Sequence, residues 1–249
     1  MKNEELRLNE QLAQLHLSFI LENHQTLAAQ AAREQWNHQQ YLGRLLEGES
    51  LRRQDRCIAR RIAGARFPFI KTLDQFDWTW PKKINRAQVQ HLFSLSFLKE
   101  KTYVTFVGGV GLGKSHLAIA LGHAACLQGH SVLFTTAVEA INTLATAQAQ
   151  SRLKTELKKF LAPTVLVCDE LGYLPIDKNG ADLLFQVISG RYEKGSTIIT
   201  TNLIYKHWSR IFNNDSSITS AVLDRLLHHA ETILVEGKSY RMRDQIEDP

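Results

Sequence analysis

The sequence predicts an α/β domain built on a mostly parallel, five-stranded sheet and preceded by a smaller region made only of helices. In the second part of the chain, short apolar runs rich in β-branched residues alternate with longer helical segments, which is typical of a parallel sheet covered on both faces. In the first part, apolar residues recur instead at helical spacing. With 249 residues, the chain is long enough to bury a core without disulfides or structural metals.

Residues 1–66 are predicted to form the helical N-terminal domain. Its first helix carries an apolar stripe at steps of three and four residues, formed by Leu8, Leu12, Leu15 and Phe19. A second helix, rich in Ala and Gln and with two glycines near its end, is expected over residues 26–47. Ser50 is the predicted N-cap of a third helix, which covers approximately residues 50–63.

The positive charge of the protein is concentrated in its N-terminal part. Residues 1–101 contain 16 basic and 11 acidic side chains and account for the net charge of +5, whereas residues 102–249 contain 14 of each. Between Arg52 and Arg86 there are ten Lys or Arg and only three Asp. On the third predicted helix, arginines share one face and apolar residues cluster on the opposite face. This asymmetry indicates a neutral body joined to an element that meets a polyanion.

The remaining chain is interpreted as a linker followed by the α/β domain. Residues 67–85 are aromatic, contain Pro and lack a clear period, so we expect a linker packed against the following domain, residues 86–249. That domain begins with a helix near Arg86. The strands predicted in it are residues 102–108, 131–135, 164–168, 196–200 and 232–236. The helices predicted between them are residues 114–128, 137–149, 180–193 and 217–229.

Cysteine usage and hydropathy predict a cytoplasmic protein. The three cysteines have no C-x-x-C spacing, so neither a disulfide framework nor a zinc site is expected. No apolar run reaches the ~18 residues that span a bilayer, and the polar N-terminus has no signal-peptide core. We therefore expect no membrane association.

A glycine-rich segment provides the strongest functional signal. It matches G-x-x-x-x-G-K-[ST] in full, after a β-branched strand and before an apolar helix. In such a loop, backbone N–H groups surround phosphate oxygens, the lysine reaches the β- and γ-phosphates and the hydroxyl binds Mg²⁺. The alternative is a glycine turn that only connects a strand to a helix. The predicted nucleotide-binding residues are Gly108, Gly109, Val110, Gly111, Leu112, Gly113, Lys114, Ser115 and His116.

Two adjacent acids follow the third predicted strand. Because ligands of open α/β sheets bind at the carboxyl ends of the strands, Asp169 is placed to hold Mg²⁺ together with Ser115. Glu170 is placed to take a proton from a water that attacks the γ-phosphate. A base that activates water indicates an ATPase rather than a small-molecule kinase. The structural alternative is an acidic strand end that caps the following turn.

Two later residues are weaker candidates. Asn202 ends the strand STIITTN, where a neutral amide can orient water, although Asn at this place is commonly a turn residue. Arg225 lies on a predicted helix, where it either stabilises γ-phosphate charge in a neighbouring subunit or pairs with Asp224.

His228 and His229 are adjacent, so on a helix they would lie about 100° apart and would not share a metal-binding face.

Four segments, in order along the chain, resemble the AAA+ ATPases of the IstB/DnaC group, and in particular the IstB-like helper proteins of insertion-sequence transposition: GGVGLGKSHLAIALG, LVCDELGYLP, GRYEKGSTIITTN and LDRLLHHA. The segment IAGARFPFIKTLDQFDW is similar to that group's linker, so the resemblance covers about residues 50–243. By this match, Lys114 and Ser115 belong to the Walker A motif and Asp169 and Glu170 to Walker B, while Asn202 is sensor 1 and Arg225 the arginine finger.

The resemblance also implies an AAA+ P-loop NTPase core, ATP and Mg²⁺ as cofactors, and a homo-oligomer with ATP sites between subunits. Its implied partners are duplex DNA and the transposase of the same element. Arg241 stands where the group carries a late arginine that contacts nucleotide, but no full helical lid domain is expected after it. The rival functions are a replicative helicase loader and an ATP-gated DNA-architectural adaptor without significant turnover.

Because the resemblance implies that the protein binds duplex DNA, the basic residues of the N-terminal part are candidates for sequence-independent contacts with DNA phosphates. The alternative is a charged helix face that is only solvated. The predicted DNA-binding residues are Arg52, Arg53, Arg56, Arg60, Lys82 and Lys83.

Overall fold

The computed structural model describes residues 2–240, which form two compact units with the boundary between Arg60 and Arg61. The sequence placed this boundary after residue 66. The difference arises because the last turns of the third helix belong to the second unit, where Ala65 is fully buried in the core and Ile62 packs against it.

The first unit consists of helices α1 (Lys2–Gln14), α2 (Ser18–Glu34) and the start of α3 (His38–Ala65). Its core is small and is formed by Leu12, Ile20 and Leu45. The predicted apolar stripe is split, because the chain turns between α1 and α2 and Leu15 of that turn is exposed. Only Leu12 of the stripe joins this core, and Leu8 is exposed as well, so the stripe does not form one continuous packing face.

The predicted helix over residues 26–47 and the predicted N-cap at Ser50 are both wrong. Helix α2 ends where Gln35 adopts a left-handed conformation, and α3 then runs without a break through residue 50. Its start is capped reciprocally, since Gln40 N–H donates to Asn37 Oδ1 and Asn37 N–H donates to Gln40 Oε1, each over 2.8 Å. Gly48 lies inside α3, where a Cβ would collide with the ring of Phe19. The glycine thus permits close packing of α2 and α3 and does not end a helix.

The second unit is the α/β domain. Its five strands are β1 (Tyr103–Gly108), β2 (Val132–Thr136), β3 (Val165–Leu171), β4 (Ser196–Thr201) and β5 (Ala230–Val235). Its helices are α4 (Arg86–Leu92), α5 (Ser96–Lys99), α6 (Lys114–Leu127), α7 (Ala137–Ala149), α8 (Leu153–Leu161), α9 (Lys178–Arg191) and α10 (Ser216–His228). Short 3-10 helices cover Leu73–Gln75 and Tyr205–Arg210.

All pairs of strands in the sheet are parallel, in the order β2-β3-β4-β1-β5, which confirms the predicted five-stranded parallel sheet. Successive residues of β3 face opposite layers: Val165 and Val167 join the core beneath α6, whereas Cys168 joins the core on the other face. Because β4 lies between β1 and β3, the carboxyl ends of these three strands meet at one edge of the sheet. The candidate site lies at this edge.

The segment interpreted as a linker is part of the fold of the second unit. Phe76 is buried in its core, and Phe67 and Trp78 pack against that core. Lys83 forms an antiparallel bridge with Glu236, which follows β5. Across residues 2–240, no helix is both long enough and apolar enough to span a membrane.

Candidate nucleotide site

The glycine-rich loop connects β1 to the first residue of α6. Gly111 and Gly113 have φ of 74° and 82°, values that other residues rarely adopt. A Cβ on Gly113 would lie 2.6 Å from the ring of Phe76, so close packing also requires glycine there. Since Lys114 begins α6, the unpaired N–H groups and the positive dipole end of this helix point into the loop. The local structure is therefore that of an anion-binding loop.

A cavity of about 320 Å³ lies beside the loop. One side is formed by the loop and the start of α6, through Val110, Gly111, Leu112, Gly113, Lys114, Ser115 and His116. The other residues that line it come from the segment before α4, from the region after β3 and from the end of the described chain: Phe69, Lys71, Gln75, Phe76, Asp77, Trp80, Pro81, Glu170, Tyr173 and Tyr240. Gly108 and Gly109 do not line it. Gly108 ends β1, where a Cβ would collide with the carbonyl oxygen of Val235.

Lys114 is 4% exposed, and its ammonium is held within the loop. Its Nζ donates to the Gly109 carbonyl over 2.6 Å and to the Tyr173 hydroxyl over 3.2 Å. The same Nζ lies 5.7 Å from the centre of the Tyr173 ring. A buried lysine at the mouth of an anion-binding loop can provide a fixed positive charge for phosphate oxygens.

Ser115 and Asp169 converge, as their predicted roles require. Ser115 Oγ donates to Asp169 Oδ1 over 2.9 Å, and Thr200 Oγ1 donates to the same oxygen. Asp169 is only 6% exposed and lies at the carboxyl end of β3. Hydroxyl and carboxylate oxygens are the ligands that Mg²⁺ prefers, so the side chains present fit this ion.

Glu170 has an unusual backbone conformation. Its φ is 61°, and the register of β3 with β4 shifts between Cys168 and Leu171. The Glu170 N–H donates to Thr200 Oγ1 over 3.0 Å, which holds this bulge in place. The exposed side chain lines the cavity. A non-glycine residue at positive φ is costly, and such conformations are concentrated at functional sites.

Asn202 and Arg225 do not line the cavity. Asn202 directly follows β4, and its Oδ1 is buried without a hydrogen-bond partner among the described residues. Arg225 is half-buried on α10, where its Nη1 donates to the Ala221 carbonyl over 2.8 Å and its guanidinium lies 5.0 Å from the centre of the Phe185 ring. Within one chain, Arg225 is thus apart from the loop. Arg241 lies outside the described residues.

The predicted DNA-binding arginines have acidic neighbours within the first unit. Arg52 Nη1 lies 2.7 Å from Glu22 Oε2, while Arg53 Nε and Arg56 Nη2 lie 3.5 and 3.7 Å from Glu49 Oε1. Arg53 and Arg56 nevertheless remain about half exposed. Arg60 is exposed and donates to the sulfur of Cys57. In the second unit, Lys82 and Lys83 are exposed, and Lys83 Nζ lies 4.0 Å from Glu236.

Sequence reasoning missed the aromatic side chains that line one side of the cavity, Phe76, Trp80 and Tyr240, which we call the aromatic wall. Trp80 Nε1 donates to the Lys238 carbonyl over 2.9 Å, and its ring lies 5.5 Å from that of Tyr240. The backbone N–H of Tyr240 in turn donates to Gly111 of the loop over 2.8 Å. The signal in the sequence that could have revealed this wall is the run of aromatic residues before α4, which we interpreted as a linker.

His116 connects the loop helix to this wall. Its Nε2 donates to the Thr72 carbonyl over 2.8 Å, and its ring packs edge-on against Phe76 at 5.4 Å. Burial lowers the pKa of His116, so the imidazole is neutral at pH 7. It therefore fixes the position of the wall and adds no charge to the site.

The family profile of IstB-like ATP-binding proteins matches residues 10–248. The chain belongs to the IstB-like ATP-binding family. It is 38% identical over 239 residues to the ATP-binding protein of insertion sequence IS5376 from Geobacillus stearothermophilus, covering 96% of this chain and 95% of that protein. It is 40% identical over 230 residues to the ATP-binding protein of insertion sequence IS21 from Pseudomonas aeruginosa, covering 92% and 85%.

Solved structures confirm the AAA+ P-loop fold of this IstB-like chain. The DnaC helicase loader superposes with a TM-score of 0.55 at 26% identity, covering 66% of this chain and 96% of the loader chain. DnaI superposes with a TM-score of 0.56 at 18% identity, covering 68% and 89%, which shows the fold alone. Membership of an ATP-binding family indicates that ATP is a ligand of this protein.

Proposed function

We propose that this protein is an ATP-dependent helper of DNA transposition, which hydrolyses ATP with Mg²⁺, oligomerises on duplex DNA, and selects the target and recruits or stimulates the transposase of its element. The observation that carries this proposal is the convergence of Ser115, Asp169 and Glu170 around the Walker A lysine, within a family of insertion-sequence ATP-binding proteins. This arrangement supports turnover and not only nucleotide binding.

The chemistry follows from the side chains at the cavity. The loop N–H groups and Lys114 bind the phosphates, and the aromatic wall covers the rest of the nucleotide. Ser115 and Asp169 would hold Mg²⁺, which when bound would neutralise charge on the phosphate oxygens. Glu170 takes the proton of the attacking water. For Asn202 to orient that water, its buried Oδ1 must become exposed to the cavity when nucleotide binds.

Arg225 acts in this proposal on the site of a neighbouring subunit. Its position away from the cavity of its own chain supports a role between subunits. An arginine finger stabilises charge on the γ-phosphate and contributes about 10³–10⁵ in rate where such fingers operate. Hydrolysis would then depend on assembly.

DNA is bound through phosphates by the basic residues of the N-terminal part. Their exposure and the charge excess of residues 1–101 support this assignment. With roughly four to six contacts, log K for duplex DNA should fall with log salt at a slope of about −4 to −5. The binding should be independent of sequence, because phosphate contacts carry no sequence information.

A helicase loader is the second candidate, favoured by the 26% identity to the DnaC helicase loader. The two functions differ in the DNA that stimulates the ATPase. Duplex DNA is expected to stimulate a transposition helper, and single-stranded DNA a loader. An ATP-gated architectural adaptor would show no turnover with either DNA.

The first experiment is steady-state ATP hydrolysis by the protein alone, with duplex and with single-stranded DNA, using Lys114→Ala as the blank. We expect duplex DNA to stimulate turnover. Glu170→Gln should still bind ATP and DNA but hydrolyse about 10²–10⁴-fold more slowly, because the general base is lost. Exposed Glu100→Gln is the matched control. Normal turnover by Glu170→Gln would remove Glu170 from the mechanism.

A further inference from the structure

The ends of α9 and α10 bring together three side chains that the nucleotide site does not use. Glu193, His228 and His229 are exposed, and one ligand atom of each lies within 4.8 Å of the others. The sequence predicted that the two histidines lie about 100° apart on a helix and do not share a metal-binding face. The structure differs because α10 ends at His228, and His229 adopts φ −137° and ψ 75°. The centres of the two rings are therefore only 4.2 Å apart.

Tyr192 orients the ring of His228. The Tyr192 hydroxyl lies 3.0 Å from His228 Nδ1, so Nδ1–H can donate to the phenol oxygen and leave the Nε2 lone pair available. Histidines that bind metals are commonly oriented in this way through their second nitrogen.

Buried contacts hold in place the backbone that carries the cluster. Arg191, the last residue of α9, is 1% exposed, and its guanidinium donates to the carbonyls of Phe160, Pro163, Thr164 and Ser196. These bonds fix the chain immediately before Tyr192 and Glu193. The contact of Arg225 with Phe185 joins α10 to α9 one turn before His228. The three ligand side chains thus start from fixed backbone positions and need only rotate.

We propose that Glu193, His228 and His229 bind a divalent transition metal ion of the Zn²⁺ class. Two imidazoles and one carboxylate form a ligand set that suits Zn²⁺ and leaves the fourth position to water. Mg²⁺ and Ca²⁺ prefer oxygen ligands and would bind this cluster poorly. The bound ion joins the end of α9 to the end of α10, the helix that carries Arg225.

The test is Zn²⁺ titration by calorimetry, together with the visible absorption of bound Co²⁺, on protein free of tag histidines and of nucleotide. A Cys57→Ser background removes the one partly exposed thiol of the described residues. We expect one ion per chain. Glu193→Gln and the double variant His228→Ala/His229→Ala should each lose at least about tenfold in affinity, and Tyr192→Phe about tenfold. Exposed His91→Ala is the control and should bind like the parent.

Thermal unfolding provides an independent measurement. Zn²⁺ should raise the Tm of the parent and of His91→Ala, but not of the double histidine variant, because an ion that binds only the folded state stabilises it. The absence of binding by the parent would overturn the proposal. Unchanged affinity in the double histidine variant would overturn it as well, by placing the ion elsewhere. Neither result would bear on ATP hydrolysis.

Discussion

A single hydroxyl organises the two acids of the candidate nucleotide site. Thr200 Oγ1 donates to the Asp169 carboxylate and accepts the Glu170 N–H over 3.0 Å. Thr200 is itself 1% exposed. The hydroxyl therefore holds the carboxylate proposed to bind Mg²⁺ and also the bulge that directs Glu170 into the cavity.

Thr200→Val should separate this organising role from nucleotide binding. Valine has the shape of threonine but leaves the Glu170 N–H without a partner and removes one of the two hydroxyls that donate to the buried Asp169 carboxylate, at a cost of about 1–3 kcal/mol in stability. We expect the ATPase kcat to fall about tenfold or more while the affinity for ATP changes little. Steady-state kinetics and urea unfolding measure both effects. Thr200→Ser keeps the hydroxyl and should retain turnover; if it and the valine variant turn over equally, the hydroxyl has no such role.

The contrast between the loop and Thr200 shows which site residues a sequence can reveal. The loop was predictable because its function lies in consecutive backbone groups, and Lys114 and Ser115 follow at fixed spacing. Thr200 is one of several threonines in its strand, and its role exists only because β4 pairs with β3. Tyr173, which contacts Lys114, and Trp80, which lines the same cavity, were missed for the same reason, since neither is adjacent in sequence to the loop.

At the scale of elements, prediction succeeded for the sheet and failed for the N-terminal helices. Each strand is a short apolar run bounded by breakers, a local signal that the parallel pairing reinforces. In the first unit, by contrast, glycine and serine were interpreted as ends of helices. Gly48 instead lies where α2 and α3 pack closely, a tertiary contact that no local propensity encodes.

A buried acid couples the basic face of α3 to the fold of the first unit. Glu49 is 3% exposed, and its Oε2 accepts from the N–H groups of Phe19 (2.7 Å) and Ile20 (3.4 Å) at the start of α2. Arg53 and Arg56 lie beside its other oxygen. Reversing their charges would surround a buried carboxylate with further carboxylates, so a loss of DNA binding in such a variant could reflect misfolding.

A matched pair of variants avoids this problem. Glu49→Gln removes the buried charge, and Glu49→Gln/Arg53→Gln/Arg56→Gln then removes the two arginines without leaving that charge unpaired. We expect the triple variant to bind duplex DNA more weakly, with a salt slope smaller in magnitude by about 2, since each phosphate contact contributes about 0.9. Fluorescence anisotropy at several salt concentrations measures the slope, and circular dichroism checks the helices. Equal slopes for both variants would show that these arginines do not contact phosphates.

At the scale of the whole molecule, the proposed mechanism requires more than one subunit. The cavity collects the loop, Glu170 and the aromatic wall from one chain, whereas Arg225 packs on Phe185 away from it. If Arg225 completes a neighbour's site, an isolated chain has every group for binding ATP but lacks one for hydrolysis. Assembly on DNA would then control turnover.

Mixing two inactive proteins tests this arrangement. Arg225→Ala retains an intact Walker B acid, and Glu170→Gln retains an intact finger, so each alone should hydrolyse ATP at least 10²-fold more slowly than the parent. In mixed oligomers, a site from the first variant can meet a finger from the second. Random pairing in an equal mixture should then restore about a quarter of the parental rate if the finger acts between subunits. Arg210→Ala, which removes an exposed arginine of the same unit, is the control and should remain active alone. A mixture no faster than the mean of its two components would place Arg225 outside the neighbouring site and return it to its role of packing α10 against α9.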